Sequence, residues 1–257
     1  MGAGLMEEIC SYWDTRVEGY SQVNEKEWRG KQNSAWYEKL IEKFPNKEAG
    51  KLKVLDIGCG PGFFTVLLSK AGFNVTSVDY TPSMLVKAKE NLIKMAPDKV
   101  GNVKFMRMDA QNLEFNDQEF DVVLSRNLTW NLPDPKRAYS EWHRVLKKGG
   151  VMLNFDANWY SYLYDDKKRE EYDRDRKNVE NGDFDDHYTC TDIDRMENIA
   201  LQVPMSKAMR PKWDMDYLKT MDWESLSAYN NVGDSLWSDE EKINYASPPM
   251  FMIYGVR

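Results

Sequence analysis

From Lys53 onward, short apolar runs alternate with amphipathic stretches, a spacing that predicts strands and helices in turn. Lys53 to Ile57 ("KVLDI") reads as a buried strand. Phe63 to Ala71 reads as a helix closed by Gly72, a C-terminal stop signal. Asn74 to Asp79 is a second strand. Thr81 then caps a helix with Pro82 at its first position, running to Met95. Val103 to Met108 and Phe120 to Ser125 are the third and fourth strands. Asp134 with Pro135 opens another helix, which ends at "KKGG" (Lys147 to Gly150). Val151 to Phe155 is the fifth strand. The chain before Lys53 reads as one or two helices. Beyond Asp156 the pattern is less regular: a charged helix over Tyr164 to Asn181, another over Asp192 to Gln202, and two late strands in "WESLSAYNNV" and "PPMFMIYGVR" with a short helix from Ser238 between them.

Such alternation implies an α/β fold with a doubly wound parallel sheet and helices on both faces. Right-handed crossovers put the C-terminal ends of the parallel strands on one edge, where ligands of such sheets bind. Gly58, Gly60 and Gly62 fall in the turn after the first strand, at that edge. Glycine lets a ligand approach the backbone and lets φ become positive. The spacing G-x-G-x-G does not match a nicotinamide-binding loop, which needs its third glycine where this chain has Phe63. A phosphate-cradling Gly-Lys-Ser/Thr is absent as well. Asp56, two residues before the first glycine, would repel a pyrophosphate and suit a cationic amine. Asp79 ends the second strand, where a carboxylate can hold a ribose diol. A ligand with ribose, a positive end and no phosphate fits S-adenosylmethionine.

Composition narrows the classes further. The chain has 257 residues, is 42% hydrophobic and 30% charged, and has a net charge of −7, so it should fold around a core and lacks a broad electrostatic grip on nucleic acid. No apolar run is long enough to span a membrane, and the N-terminus lacks the basic-then-apolar pattern of a secretory signal. Cys10, Cys59 and Cys190 are far apart, which argues against a metal site and for reduced thiols in a cytoplasmic protein. The nine tryptophans avoid the stretch between Tyr37 and Thr129 and flank it on both sides. They suggest aromatic walls over a plain nucleotide-binding scaffold.

The run "VLDIGCGPGFF" followed by "VDYTPSML" resembles the class I S-adenosylmethionine-dependent methyltransferases, in particular their small-molecule branch. The resemblance covers roughly Trp13 to Phe155. It implies a Rossmann-like, doubly wound seven-stranded sheet with an antiparallel last strand, preceded by N-terminal helices and carrying a helical insertion after strand five. It also implies that Asp56 and the Gly58, Gly60, Gly62 loop hold the methionine end of the cofactor, and that Asp79 takes the ribose hydroxyls. Tyr80 and Met84 would flank the adenine. Asp109 would accept from its amine, with Ala110 alongside. Asn127 would sit near the sulfonium, and Tyr20 would lie on a helix that closes over the cofactor.

One domain is expected: a helical cap over 1–50, a cofactor-binding core over 51–156, a substrate-side insertion over 157–215 and the last strands over 216–257. Methyl transfer is an in-line displacement in which the protein chiefly orients the reactants. A general base matters only where the acceptor must lose a proton. Asp156 and His187 are the candidates. Trp13, Trp130, Trp159 and Trp213 are candidate walls of a pocket for a small-molecule acceptor. Arg126 suits either an acidic group on the substrate or an ion pair with an aspartate. Two other readings share these residues: a cofactor-binding sensor or subunit without turnover, and an RNA or protein methyltransferase.

Overall fold

The structure, a computed structural model, describes residues 2–182, 185–188 and 191–257. Two helices come first, α1 (Gly2–Arg29) and α2 (Gln32–Ile41). Twenty-eight residues without a proline allow α1 its length, and the chain turns at Gly30. The alternating core follows: β1 (Lys53–Ile57), α3 (Phe63–Lys70), β2 (Asn74–Asp79), α4 (Pro82–Met95), β3 (Val103–Arg107), β4 (Phe120–Arg126), α5 (Pro135–Val145) and β5 (Leu146–Asp156). The later chain forms α6 (Asp166–Glu180), α7 (Ile193–Ala200), α8 (Lys212–Leu218), β6 (Ser225–Tyr229), α9 (Gly233–Leu236), α10 (Asp239–Asn244) and β7 (Phe251–Val256).

All seven strands form one sheet in the order β3-β2-β1-β4-β5-β7-β6. The first five run parallel, and β7 lies antiparallel to both β5 and β6. The expected Rossmann-like sheet with its antiparallel last strand is therefore present. Successive residues of β1 serve opposite faces: Val54 packs with Trp36, Phe64 and Leu68, and Leu55 packs with Phe120, Val123 and Trp142. Both faces are dry, which is why this strand reads as an apolar run rather than an alternation. A third cluster joins Ile9 and Tyr12 of α1 to Trp130 and to Met196 and Ile199 of α7.

Two boundaries differ from the sequence pattern. The "KKGG" stretch belongs to β5, not to the end of α5. Gly149 has φ +72, and a Cβ on Gly150 would lie 2.8 Å from the Lys147 carbonyl and 3.0 Å from that of Asp121. These glycines serve a register shift between β4 and β5 rather than a helix stop. Helix α8 lies in a stretch where the pattern indicated no element. At the starts of helices the signals behave as expected: Asp134 accepts from the Arg137 N–H, and Pro135 opens α5. Among the described residues, no helix is long and apolar enough to cross a membrane.

Candidate functional site

The strand order reverses between β1 and β4, so the loops after these strands diverge and leave a crevice at the C-terminal edge. Each glycine of the first loop has its own reason. Gly60 has φ +52, and a Cβ there would point into open space. Gly62 has φ +92 as the N-cap of α3, and a Cβ there would come within 3.1 Å of Ala88, so it serves the packing of α3 on α4. Gly62 lines none of the three cavities described below, whereas Gly58 and Gly60 do.

The first cavity comprises about 770 Å³ of space, part of it open to solvent. Of the residues singled out in the sequence, Gly58, Gly60, Asp79, Tyr80 and Met84 line it. Asp109, Ala110, Asn127, Tyr20 and Trp13 line it as well. The Asp79 carboxylate accepts from the Gly60 N–H (2.9 Å) and from the Thr81 N–H (2.8 Å), which ties the end of β2 to the glycine loop. Burial pushes this carboxyl above the usual range, against those hydrogen bonds. Asp109 accepts from the backbone and side chain of Gln111 (2.8 and 2.9 Å).

Asp56 lies deeper. Its carboxylate accepts from the Thr65 hydroxyl at 2.7 Å, and burial pushes it up to about 7. It opens onto a smaller cavity shared with Gly58, Gly60, Tyr20, Arg126 and Asn127, continuous in its lining with the first.

Asn127 follows β4 with φ +55, a left-handed conformation asparagine tolerates. Its N–H donates to the Phe155 carbonyl (2.8 Å), and its own carbonyl accepts from Trp130 Nε1 (3.0 Å). The side-chain Oδ1 is buried without a protein partner at the cavity wall. The open space over Gly60 and this unpartnered acceptor are what a polar ligand pressed against the backbone requires, so the residues fit the cofactor expected here.

A second cavity, of about 900 Å³ and also partly open, adjoins the first. Trp13, Tyr20, Arg126 and Asn127 line both. Trp130 and Trp159, expected as acceptor-pocket walls, and His187, a base candidate, line the second. The sequence reading missed Arg16, Tyr160, Tyr188, Trp237 and Tyr245, which also line it. The aromatic bias of the late region was their only signal. Arg126 pairs with Glu27 of α1 (2.8 Å), a glutamate rather than an aspartate, and its guanidinium lies 4.7 Å from the Trp36 ring. Burial pushes the Glu27 carboxyl up to about 7, with Arg126 opposing the rise.

Asp156 and Trp213 line neither of the two large cavities. Asp156 is fully buried and pairs with Arg210 at 2.8 Å. It also accepts from the Thr129 hydroxyl, the Trp130 N–H, the Ala157 N–H and Trp159 Nε1. With so many donors on it, its place is to hold two cavity-wall tryptophans. Trp213 stacks on Tyr217 at 6.0 Å. Cys10 and Cys59 are free thiols, and Cys190 lies outside the described residues. Among the described residues, no group of three or more His, Cys, Asp or Glu is placed to hold a metal ion.

Comparison with known proteins gives this geometry a context. Residues 55–154 match the family described as "Methyltransferase domain". A demethylmenaquinone methyltransferase of Leptospira interrogans is 36% identical over 138 residues, which cover 51% of this chain and 55% of that protein. The chain thus spans about half the length of the curated relatives it matches. Among solved structures, a Methanococcus maripaludis protein described as an S-adenosyl-L-methionine-dependent methyltransferase superposes with a TM-score of 0.61 at 18% identity, covering 95% of this chain and 94% of that one. A Haemonchus contortus phosphoethanolamine N-methyltransferase, bound to phosphomonomethylethanolamine and S-adenosylhomocysteine, superposes with a TM-score of 0.57 at 18% identity, covering 86% and 52%. At that identity the two structures speak for the fold.

Proposed function

We infer, from the premise that this chain belongs through residues 55–154 to the class I S-adenosylmethionine-dependent methyltransferases, that it methylates a small molecule seated in the second cavity. The observation that carries this reading is the shared wall. Trp13, Tyr20, Arg126 and Asn127 border both cavities, so a donor in one and an acceptor in the other would meet there. S-adenosylmethionine, the family's cofactor, supplies an activated methyl group on a sulfonium that departs as a neutral thioether. What remains for the protein is placement and exclusion of water.

The roles follow from position. Asp79, already oriented by two backbone N–H groups, is suited to a ribose diol. Gly60 leaves room for the ligand against the backbone. Tyr80 and Met84 suit the two faces of a base, and Asp109 its amine. Asp56 suits the ammonium of the methionine end. Helix α1 supplies Tyr12, Trp13 and Tyr20 to the walls, the chain between β5 and α7 supplies Trp159, Tyr160 and Tyr188, and Trp237 and Tyr245 come from the last part of the chain. A cavity walled by rings favours a small acceptor over a polymer.

Isothermal titration with S-adenosylhomocysteine tests the reading. The wild-type chain should bind it. Asp79→Ala should weaken binding by about 1–3 kcal/mol, the loss of charged hydrogen bonds. Gly60→Val should abolish binding while the circular dichroism stays native, because a branched side chain fills the ligand's space and resists positive φ. Normal binding by Gly60→Val would place the ligand elsewhere.

A further inference from the structure

We propose that Tyr245, His187 and Glu240 form a proton relay out of the second cavity, and that the acceptor is an uncharged aromatic molecule methylated on a weakly acidic hydroxyl. The proposal deepens the function read above and rests on it.

The relay is fixed by hydrogen-bond chemistry. His187 Nε2 lies 3.0 Å from Glu240 Oε1, and its Nδ1 lies 3.0 Å from the Tyr245 hydroxyl. A carboxylate only accepts, so in the neutral ring, the form a relay base takes, Nε2 carries the proton and Nδ1 presents its lone pair. The Tyr245 O–H therefore donates to Nδ1. Its oxygen is left with lone pairs for a donor in the cavity that Tyr245 and His187 both line. Trp159 (5.3 Å) and Trp237 (5.7 Å) seat the Tyr245 ring. Burial holds the Tyr245 hydroxyl well above its ordinary range, which suits a group that passes a proton on rather than ionising itself.

The surroundings select the acceptor. The walls are rings, and Trp130 and Tyr160 stack face to face at 5.0 Å, which suits a flat guest. Arg126 is paired with Glu27, so the lining, with Arg16 and Glu241, offers a cationic amine no surplus of negative charge. The lining carboxylate, Glu241, is held by Gln32 Nε2 and by the Ser238 N–H. A base would be idle for an acceptor with no proton to lose.

In the step, a lone pair of the acceptor oxygen forms a bond to the methyl carbon, and the carbon–sulfur bond breaks with its electron pair going to sulfur. The hydroxyl proton passes to Tyr245 Oη, and the Tyr245 proton passes to His187 Nδ1. The positive charge lost at sulfur thus reappears on an imidazolium beside Glu240. Asp185, held by Lys26 at 2.8 Å, adds negative charge on the same side, and Lys26 itself stands 3.9 Å from Glu240. Among the described residues, Glu241, Tyr20, Tyr188 and Arg16 are further titratable groups on the same cavity, and Arg176 lies over the Tyr188 ring at 4.3 Å while paired with Asp186.

The probe is 4-nitrophenol, whose anion absorbs visible light, added to the full chain saturated with S-adenosylhomocysteine. Quenching of tryptophan fluorescence reports its binding, and the visible band reports its ionisation. The bound probe should ionise about one pH unit or more below the free probe, a tenfold change in the ratio of anion to phenol. His187→Gln and Tyr245→Phe should bind the probe and lose that shift. Equal ionisation in His187→Gln, or no ionisation shift in the wild type, would overturn the relay. Absence of quenching would overturn the aromatic acceptor. Calorimetry with S-adenosylhomocysteine alone separates the cases: intact binding leaves the methyltransferase reading standing while the relay falls, and absent binding removes that reading itself.

Discussion

Asp56 and Trp36 show how much a single residue's surroundings decide. The Asp56 carboxyl, pushed up to about 7 by burial, is largely neutral below that pH in the ligand-free protein. An ammonium placed against it binds the ionised form. Affinity for S-adenosylhomocysteine should therefore fall about tenfold per pH unit below pH 7 and level off above it, and Asp56→Asn should flatten the profile. Stability runs the other way. A carboxyl whose pKa is raised on folding contributes stability that is present below its unfolded pKa and lost as pH rises through about 7. The melting-temperature gain from the ligand should thus grow between about pH 6 and about pH 8. Calorimetry and thermal scans over that range check both.

The tryptophans divide in the same way. Trp36 is wholly buried against Phe63, Phe64 and Phe155, and Trp36→Ala should cost about 3–5 kcal/mol in urea unfolding. Trp13 is half-buried and faces both cavities. Trp13→Ala should cost about 1 kcal/mol of stability and most of the turnover per folded molecule. The sequence showed that rings flank the glycine loop. It could not show which rings meet a cavity, because that depends on partners far away in the chain.

Among the elements, α1 depends most on one contact. Glu27 meets Arg126 across the boundary between α1 and the end of β4, and Ser21 meets Asn91 of α4 at 3.0 Å. Glu27→Ala would leave the Arg126 guanidinium unpaired in a largely buried site, and should cost about 3–5 kcal/mol in urea unfolding. Glu27→Gln should cost less, since the amide oxygen still accepts one of the two bonds. The helices of the core were legible because their caps and periodicity are local. The "KKGG" stretch was not, because its glycines answer to the neighbouring strand: Gly150 sits against the Asp121 carbonyl. No local pattern carries that contact.

For the molecule as a whole, the sheet and the set of residues that meet around the first cavity were the most readable parts. The strands are apolar runs, the glycine loop is contiguous, and Asp79 ends a strand while Asp109 and Asn127 follow strands at the same edge. The second cavity draws on α1, the end of β4 and the segment after it, the segment after β5, on His187, Tyr188 and Thr191, and on the region around α10. Such an assembly is set by tertiary packing, which is why Tyr245 and Trp237 escaped notice. Asp156 shows the reverse case: its place at a strand's end suggests chemistry, whereas in the fold it is buried against Arg210, far along the chain, and lines neither large cavity.

One long helix roofs both cavities, with Met6, Ile9 and Cys10 over the first, Tyr12, Arg16 and Val23 over the second, and Trp13 and Tyr20 over each. If α1 moves as one body, exchange at the two cavities would be governed by a single gate. A bound nucleoside should slow hydrogen–deuterium exchange along α1 on the acceptor side too, where it touches nothing. Mass spectrometry of α1 peptides with and without S-adenosylhomocysteine would show protection reaching Val23; protection confined to the segment before Trp13 would mean that the helix opens in two parts. With one gate, the spent nucleoside and the methylated product leave in the same opening, and the frequency of that opening caps the turnover rate.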